Sequence, residues 1–191
     1  MPWLDHFGFL APIYDRVITA VQAGRLEALL QLPVDGLLLD VGGGTGRVAK
    51  VLAGQASPIV VLDESLGMLR QAQEKGLPTA CARSEQLPFP DGTIPRILMV
   101  DAFHHLGDQD HATAELMRVL APGGRMVIEE PNIERGAVKL VALAERLALM
   151  RSRFRRPREM KRLFQAAGGR VKISRDGSDF WVVVEKRKHT A

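Results

Sequence analysis

The sequence predicts an α/β fold, a doubly wound and mostly parallel sheet with helices on both faces. Three observations predict it. Short apolar runs at residues 37–39, 59–62 and 97–100 read as strands buried on both faces, as parallel strands are. Segments of helical spacing separate these runs. The first run also leads through a carboxylate into Asp40-Val41-Gly42-Gly43-Gly44-Thr45-Gly46 and re-enters helical spacing at Val48, Val51 and Leu52. Strand, glycine turn and helix, in that order, offer bare backbone N–H groups to a ligand.

Residues 1–36 read as helical with breaks. Pro12 suits a first helical turn, and Ile13, Val17, Ile18 and Val21 share a face. Leu26, Leu29 and Leu30 continue the pattern until Pro33-Val34-Asp35-Gly36 stops it. A helix pair here can lie over the glycine loop as a partial lid or pack on the core. The helix from Val48 ends near Gly54, and the second strand closes on Asp63. Ser65 is placed to cap the next helix, whose apolar side is Met68, Leu69 and Ala72. A right-handed crossover brings Asp63 to the same carboxyl edge as the glycine loop, where an acid can accept both hydroxyls of a ribose.

Residues 79–82 form a short third strand, and 83–92 a loop turning at Asp91-Gly92. The fourth strand covers 96–100, with Pro95 before it, since proline does not belong inside a central ladder. It delivers Asp101-Ala102-Phe103-His104-His105 to the edge. A helix over 108–120 buries Ala112, Leu116, Val119 and Leu120, and Pro122-Gly123-Gly124 ends it before a fifth strand at 125–130. Beyond lie an amphipathic segment, 137–150, with Leu140, Leu143, Leu147 and Met150, and a helix over 157–167. A terminal hairpin joins 171–173 to 180–184 through Asp176-Gly177. The 191 residues fit one domain, 1–191.

With 46% apolar and 25% charged residues, the composition is that of a soluble globular protein. No apolar stretch is long enough to span a bilayer, and Asp5 and His6 interrupt anything like a signal peptide. The single cysteine, Cys81, excludes an internal disulfide and supplies no metal-site spacing, so a reducing cytoplasm and no metal are expected. The net charge is +4, and eleven Lys or Arg residues between Arg146 and Arg175 face Glu159 and, just beyond, Asp176. That basic half reads as a solvated face, a site for an anionic substrate or a peripheral contact with an anionic membrane. Nucleic acid is set aside as a partner, because neither zinc-finger spacing nor an RNA-recognition aromatic motif accompanies the charge.

The loop is not a Walker A site, since no Gly-Lys-Ser/Thr follows it. Gly44-Thr45-Gly46-Arg47-Val48-Ala49 does satisfy the dinucleotide fingerprint, which keeps a nicotinamide-dependent oxidoreductase as an alternative. Asp40 separates the two. A carboxylate repels a pyrophosphate and attracts a ligand bearing an ammonium and a sulfonium, which favours S-adenosylmethionine. A non-catalytic binding module of the same fold is a third reading.

With these pieces in order, the chain resembles the class I S-adenosylmethionine-dependent methyltransferases, and within them the small-molecule group that includes ubiquinone/menaquinone-biosynthesis C-methyltransferases. The resemblance rests on the Asp40 to Gly46 loop, Leu62-Asp63-Glu64-Ser65-Leu66-Gly67-Met68-Leu69, Glu85-Gln86-Leu87-Pro88-Phe89, and the block from Leu116 to Arg125. It implies seven strands in order 3-2-1-4-5-7-6 with only strand 7 antiparallel, and methyl transfer to a small organic acceptor, quinone-like or lipid-like. It also implies that Asp40, Gly42, Gly44, Thr45 and Gly46 hold the methionyl part of the cofactor and that Asp63 binds the ribose. Arg83 and Ser84 would flank the adenine, and Val100 or Asp101 would lie near the methionyl group.

Two departures stand out. Ala82-Arg83-Ser84 replaces the usual Gly-Asp-Ala, and a guanidinium cannot accept a bond from the adenine amino group. Ile94-Pro95 replaces the usual Phe-Asp that leads into strand four. Methyl transfer is an in-line displacement that rests on positioning, and a base is needed only if the acceptor must lose a proton. His104 and His105 are best placed for that role, with Tyr14 a second candidate and Asp101 and Glu130 behind them.

Overall fold

A computed structural model describes residues 23–134, 152–177 and 179–188. The expected helices before residue 23, Tyr14 among them, and the amphipathic segment 137–150 lie outside the described residues. The apolar runs become strands β1 (Val34–Val41), β2 (Ala56–Asp63), β3 (Thr79–Cys81), β4 (Ile94–Val100) and β5 (Leu120–Pro131). The hairpin supplies β6 (Gly169–Asp176) and β7 (Asp179–Lys186). They form one sheet in the order β3-β2-β1-β4-β5-β7-β6, as the resemblance implies. β1 to β5 pair in parallel, and β7 runs antiparallel to both β5 and β6.

Helices α1 (Ala23–Leu30), α2 (Arg47–Val51) and α3 (Leu66–Glu74) pack with Leu38, Val61, Leu98, Val127 and Trp181 on one face. Helices α4 (Gln109–Val119) and α5 (Pro157–Ala166) pack with Leu39, Ile97, Met99, Ile128 and Val182 on the other. Successive side chains of a strand alternate between faces, so covering both faces demands apolar residues at every central position. Each large side chain buried in this way, such as Phe164, contributes roughly 1.5–3 kcal/mol.

The helix caps follow from the sequence. The Ser65 hydroxyl accepts the Met68 N–H at 3.2 Å, and the Asp108 carboxylate accepts those of Asp110 and His111. The C-terminal carbonyls of α1 are satisfied from the sheet: Arg96 donates to Leu30 O at 2.7 Å, and Arg125 to Leu29 O at 2.9 Å. Arg25 lies over the Trp181 ring, 3.9 Å from its centroid, and donates to Ser174 Oγ. The helix leading into the sheet is therefore tied to β4, β5, β6 and β7.

Two expectations are corrected at the start of the central strands. Pro95 lies inside β4, not before it, and Pro122-Gly123-Gly124 does not end α4 but falls within β5. Ile94 pairs with Leu120 while Arg96 pairs with Arg125, so the ladder breaks between them. Pro95 sits at that irregularity, where its missing N–H costs no ladder bond. Opposite it the Ala121 to Gly124 stretch bulges, with Gly123 at φ 76°. The Ile94-Pro95 pair thus stands at the irregular start of the strand.

Candidate active site

Parallel order brings the ends of β1, β2, β4 and β5 to one edge, and each ends in acid: Asp40, Asp63, Asp101, and Glu129 with Glu130. The glycine loop after β1 is held largely by backbone hydrogen bonds. Gly42 and Gly43 both donate to Leu62 O, at 2.7 and 3.2 Å, and Gly46 donates to Gly43 O at 2.9 Å. A Cβ on Gly42, where φ is +67°, would lie 2.6 Å from the Ala102 Cβ, so only glycine fits against the turn after β4. At Gly44 the nearest described atom to such a Cβ is Met68 Sδ at 3.8 Å, an ordinary van der Waals contact, so no described residue crowds the backbone there.

Asp63 ties this loop to α3. Its Oδ2 accepts the Gly44 N–H at 3.0 Å and its Oδ1 the Ser65 N–H at 2.8 Å. A carboxylate oxygen accepts more than one hydrogen bond, so these contacts orient the acid and leave it able to receive hydroxyls. Thr45 is buried, and its carbonyl accepts Lys75 Nζ at 2.9 Å. Asp40 is 1% exposed, and among the described residues neither of its oxygens makes a formed hydrogen bond. Burial pushes its pKa up to about 7; the Ala49 N–H opposes the shift, Asp63 adds to it and Arg47 opposes it.

On the other side of the edge, Asp101 takes a left-handed φ of 52° and donates its N–H to Glu129 O at 3.1 Å. Burial and then Glu130 raise its carboxyl to about 6. Burial and then Asp101 raise Glu129 to about 7, although Trp181 Nε1 donates to its Oε2 at 3.0 Å. Arg47, at the start of α2, is the cation that opposes the shifts of Asp40, Asp101 and Glu129 alike.

The predicted histidines occupy a 3-10 turn, Phe103–His105. His104 is 2% exposed, its Nδ1 lies 2.9 Å from Glu130 Oε2, and Glu130 Oε1 accepts the Phe103 N–H at 2.9 Å. The segment 152–156 straps over this turn. Phe154 stacks on His104 at 4.4 Å, Arg153 N–H donates to His104 O, and His105 Nδ1 lies 3.2 Å from Ser152 Oγ. Gln109 fastens the strap, donating to both Phe103 O and Arg153 O while accepting from Arg155 Nε. Burial, with the neighbouring His104, lowers His105 to about 3, so His105 is neutral at any ordinary pH.

The structure thus brings Asp40, Gly42, Gly44, Thr45, Gly46 and Asp63 into one place, with Val100, Asp101, His104 and His105 across the same edge. Arg83 is exposed and turned to Glu85 at 3.2 Å and Glu64 at 3.9 Å, while Ser84 is buried. A shallow groove of about 530 Å³ runs past Arg83 and is lined by Glu85, Gln86, Asp108, His111 and Glu115; its lining does not include His104 or His105. Sequence reasoning missed Glu129 and Gln109. The rule that flagged Asp40, Asp63 and Asp101, an acid at the carboxyl end of a strand, applies equally to Glu129. Nothing in the sequence marks Gln109.

The comparisons with known proteins agree with this fold. A family model described as a methyltransferase domain matches residues 39–128, from β1 into β5. The demethylmenaquinone methyltransferase of Thermus thermophilus is 37% identical over 71% of this chain and 69% of its own. The ubiquinone/menaquinone biosynthesis C-methyltransferase of Geobacter sulfurreducens is 35% identical over 66% of this chain and 56% of its own. The chain spans about half the length of the first curated relatives it matches. A solved S-adenosylmethionine-dependent methyltransferase of Thermotoga maritima shares the fold at 21% identity, with a TM-score of 0.78 over 95% of this chain and 98% of that one.

The fold and the loop define the class, a Rossmann-like S-adenosylmethionine-binding domain. More narrowly, the chain belongs to the class I S-adenosylmethionine-dependent methyltransferase family, in the ubiquinone/menaquinone methyltransferase group. The residues present fit that cofactor: at Gly44 the nearest described atom to an added Cβ is 3.8 Å away, and the buried Asp40 carboxylate makes no formed hydrogen bond among the described residues. When bound, it supplies a methyl group already activated by sulfonium.

Proposed function

We propose that the chain transfers a methyl group from S-adenosylmethionine to a small organic acceptor of the quinone-like or lipid-like class, in the cytoplasm. The observation that carries this is Asp40, a buried acid beneath the glycine loop that makes no formed hydrogen bond among the described residues. Such a place suits a cation and disfavours a pyrophosphate. Asp63 supports the ribose, with Thr45 and Gly46 lining the methionyl side and Ser84 the adenine side. The quinone-like acceptor follows from the relatives, which are named for ubiquinone, menaquinone and demethylmenaquinone. Among the described residues no helix is long and apolar enough to cross a membrane. Exposed Arg158, Lys161, Arg162 and Lys172 give the basic half a surface for peripheral contact with an anionic bilayer.

On this reading the protein positions and shields the reacting atoms. Where the acceptor must release a proton, His104 is the better of the two predicted candidates to receive it, since burial holds His105 neutral. Titration calorimetry tests the cofactor: S-adenosylhomocysteine binds in the micromolar range, and Asp63→Ala weakens binding about a hundredfold, the loss of charge-assisted hydrogen bonds to a ribose. A thermal shift with NADH and none with S-adenosylhomocysteine would reverse the assignment.

A further inference from the structure

β5 carries two adjacent acids near its end, and the alternation of side chains along a strand sends them to opposite faces of the sheet. Glu130 is sealed beneath the histidine turn. Glu129 is half-buried, and the Trp181 Nε1–H, a donor only, is bonded to its Oε2 at 3.0 Å. Trp181 is fully buried and carries Arg25 on its ring at 3.9 Å, so the carboxyl is held from behind by a fixed group. The other oxygen, Oε1, makes no formed hydrogen bond among the described residues.

Asp101 stands beside it. β4 and β5 pair Val100 with Glu129, and the Asp101 N–H donates to Glu129 O at 3.1 Å. The left-handed backbone of Asp101, φ 52°, is a strained conformation of the kind that clusters at functional sites. Its carboxyl is half-buried and also makes no formed hydrogen bond among the described residues. Of the buried side-chain oxygens among the described residues, only those of Asp40 lack a partner, so the Asp101 oxygens and Glu129 Oε1 are open to solvent. Neighbouring acids cannot both ionise at low cost. Burial and then Asp101 raise Glu129 to about 7, whereas burial and then Glu130 raise Asp101 to about 6.

We infer that Glu129 is a catalytic base of the methyl-transfer site: Oε1 takes the acceptor's hydroxyl proton while Trp181 holds the carboxyl in place and Asp101 stands against it. The inference rests on the proposed methyltransferase function. The step moves one proton. The acceptor's O–H bond breaks, its electron pair stays on the acceptor for the bond to carbon, and the proton forms an O–H bond on Oε1 before passing to water. Glu129 suits this better than the histidines, since His104 is 2% exposed and His105 is held near 3. The charged groups facing Glu129 are Asp101 from the turn after β4, Asp179 from β7 and Arg47 from α2. Those facing Asp101 are Glu130, His104, Asp179 and Arg47.

The test uses the full chain and two readouts. Carbon-13 spectra of the side-chain carboxyls are first titrated in the ligand-free protein. Glu129 is expected to titrate near pH 7, and Asp101→Asn to move that midpoint down, because a like charge has gone. Turnover is then measured with S-adenosylmethionine and chemically reduced demethylmenaquinone. Glu129→Gln keeps the shape and, through its amide oxygen, the Trp181 bond, but puts an NH₂ where Oε1 stood. It is expected to lower kcat about a hundredfold, with KM and S-adenosylhomocysteine affinity changed less than fivefold. The rise of kcat through pH 7 should vanish in that variant and move to lower pH in Asp101→Asn. A Glu129 midpoint in the ordinary carboxylate range, or a Glu129→Gln variant within tenfold of wild-type kcat, overturns the inference. So does a loss of S-adenosylhomocysteine affinity beyond fivefold, which would place the acid on the cofactor. Wild-type protein that binds S-adenosylhomocysteine but does not methylate this hydroquinone removes the acceptor class and its base together. Absence of S-adenosylhomocysteine binding would instead sink the cofactor assignment, so the failures are distinguishable.

Discussion

The two halves of the carboxyl edge are built on different principles. The glycine loop between β1 and β2 is held by its own backbone: Gly42, Gly43 and Gly46 find carbonyl partners on Leu62 and Gly43, and Asp63 completes it from 19 residues away. The turn after β4 is held by side chains from distant segments, Glu130 from 26 residues away and Gln109 reaching Arg153 across 44. The half proposed for the cofactor is thus a largely local structure, and the half proposed for the acceptor is a long-range network. A family can keep the first while changing the second, because each network contact can be exchanged without touching the loop.

Gly42 joins the two halves and offers the strongest way to break the comparison. In Gly42→Ala the new methyl meets the Ala102 Cβ at 2.6 Å in a left-handed conformation. Overpacking and backbone strain together should cost about 3 kcal/mol, read as a lower urea midpoint. S-adenosylhomocysteine binding should fall with it. If binding falls while the histidine resonances stay in place, the halves are independent in a way the contact with Ala102 does not suggest.

Gln109→Ala probes the network alone. It removes the Gln109 bonds to Arg153 O, Arg155 Nε and Phe103 O, the last of which keeps the Leu106 N–H, for a loss of about 2 kcal/mol. Cofactor affinity should stay within twofold. A tenfold loss would show that the strap at 152–156 also supports the glycine loop.

Asp40→Asn probes the loop alone and should act in opposite directions on stability and binding. The folded state holds the Asp40 proton up to about pH 7, whereas an unfolded aspartate releases it near 3.8. The folded state binds the extra proton over that window, so wild-type stability falls as pH rises through it. Removing the charge should therefore stabilise the ligand-free protein by about 2 kcal/mol at pH 8 and by almost nothing at pH 4. The same change should weaken S-adenosylhomocysteine about tenfold by removing the attraction to its ammonium. Equal denaturation curves at pH 8 would mean that Asp40 is better solvated than its burial implies.

How much was legible follows the same division. The glycine spacing, Asp63, the Ser65 cap and the order of strands are carried by residues close in sequence or by motif blocks, and the structure has them where the sequence places them. Pro95 was misplaced because a ladder break depends on the partner strand, and the bulge at Ala121 to Gly124 is visible only once β4 and β5 are paired. His104 and His105 were found as a pair but not told apart. What separates them is Glu130, Ser152 and Phe154, brought in by the fold from 26 to 50 residues away. Gln109 could not be read at all, since a glutamine in the first turn of an amphipathic helix looks like any solvated position.

Arg83 gives the smallest expected effect and the finest test of the division. It stands on the cofactor half, yet it is a side chain in place of backbone, 64% exposed, and paired with Glu85 and Glu64. Exposed pairs of this kind contribute roughly 0–1 kcal/mol. Glu85 also keeps a partner when Arg83 is lost, because its Oε1 accepts the Asp108 N–H at 3.1 Å. Arg83→Ala should leave the denaturation midpoint unchanged. If adenine is held by backbone and Ser84, S-adenosylhomocysteine affinity should also stay within threefold. A loss near tenfold, about 1.4 kcal/mol, would have the size of a guanidinium stacked on the adenine ring. Arg83 would then have to leave Glu85 on binding, and the cofactor half would share the dependence on individual side chains that marks the turn after β4.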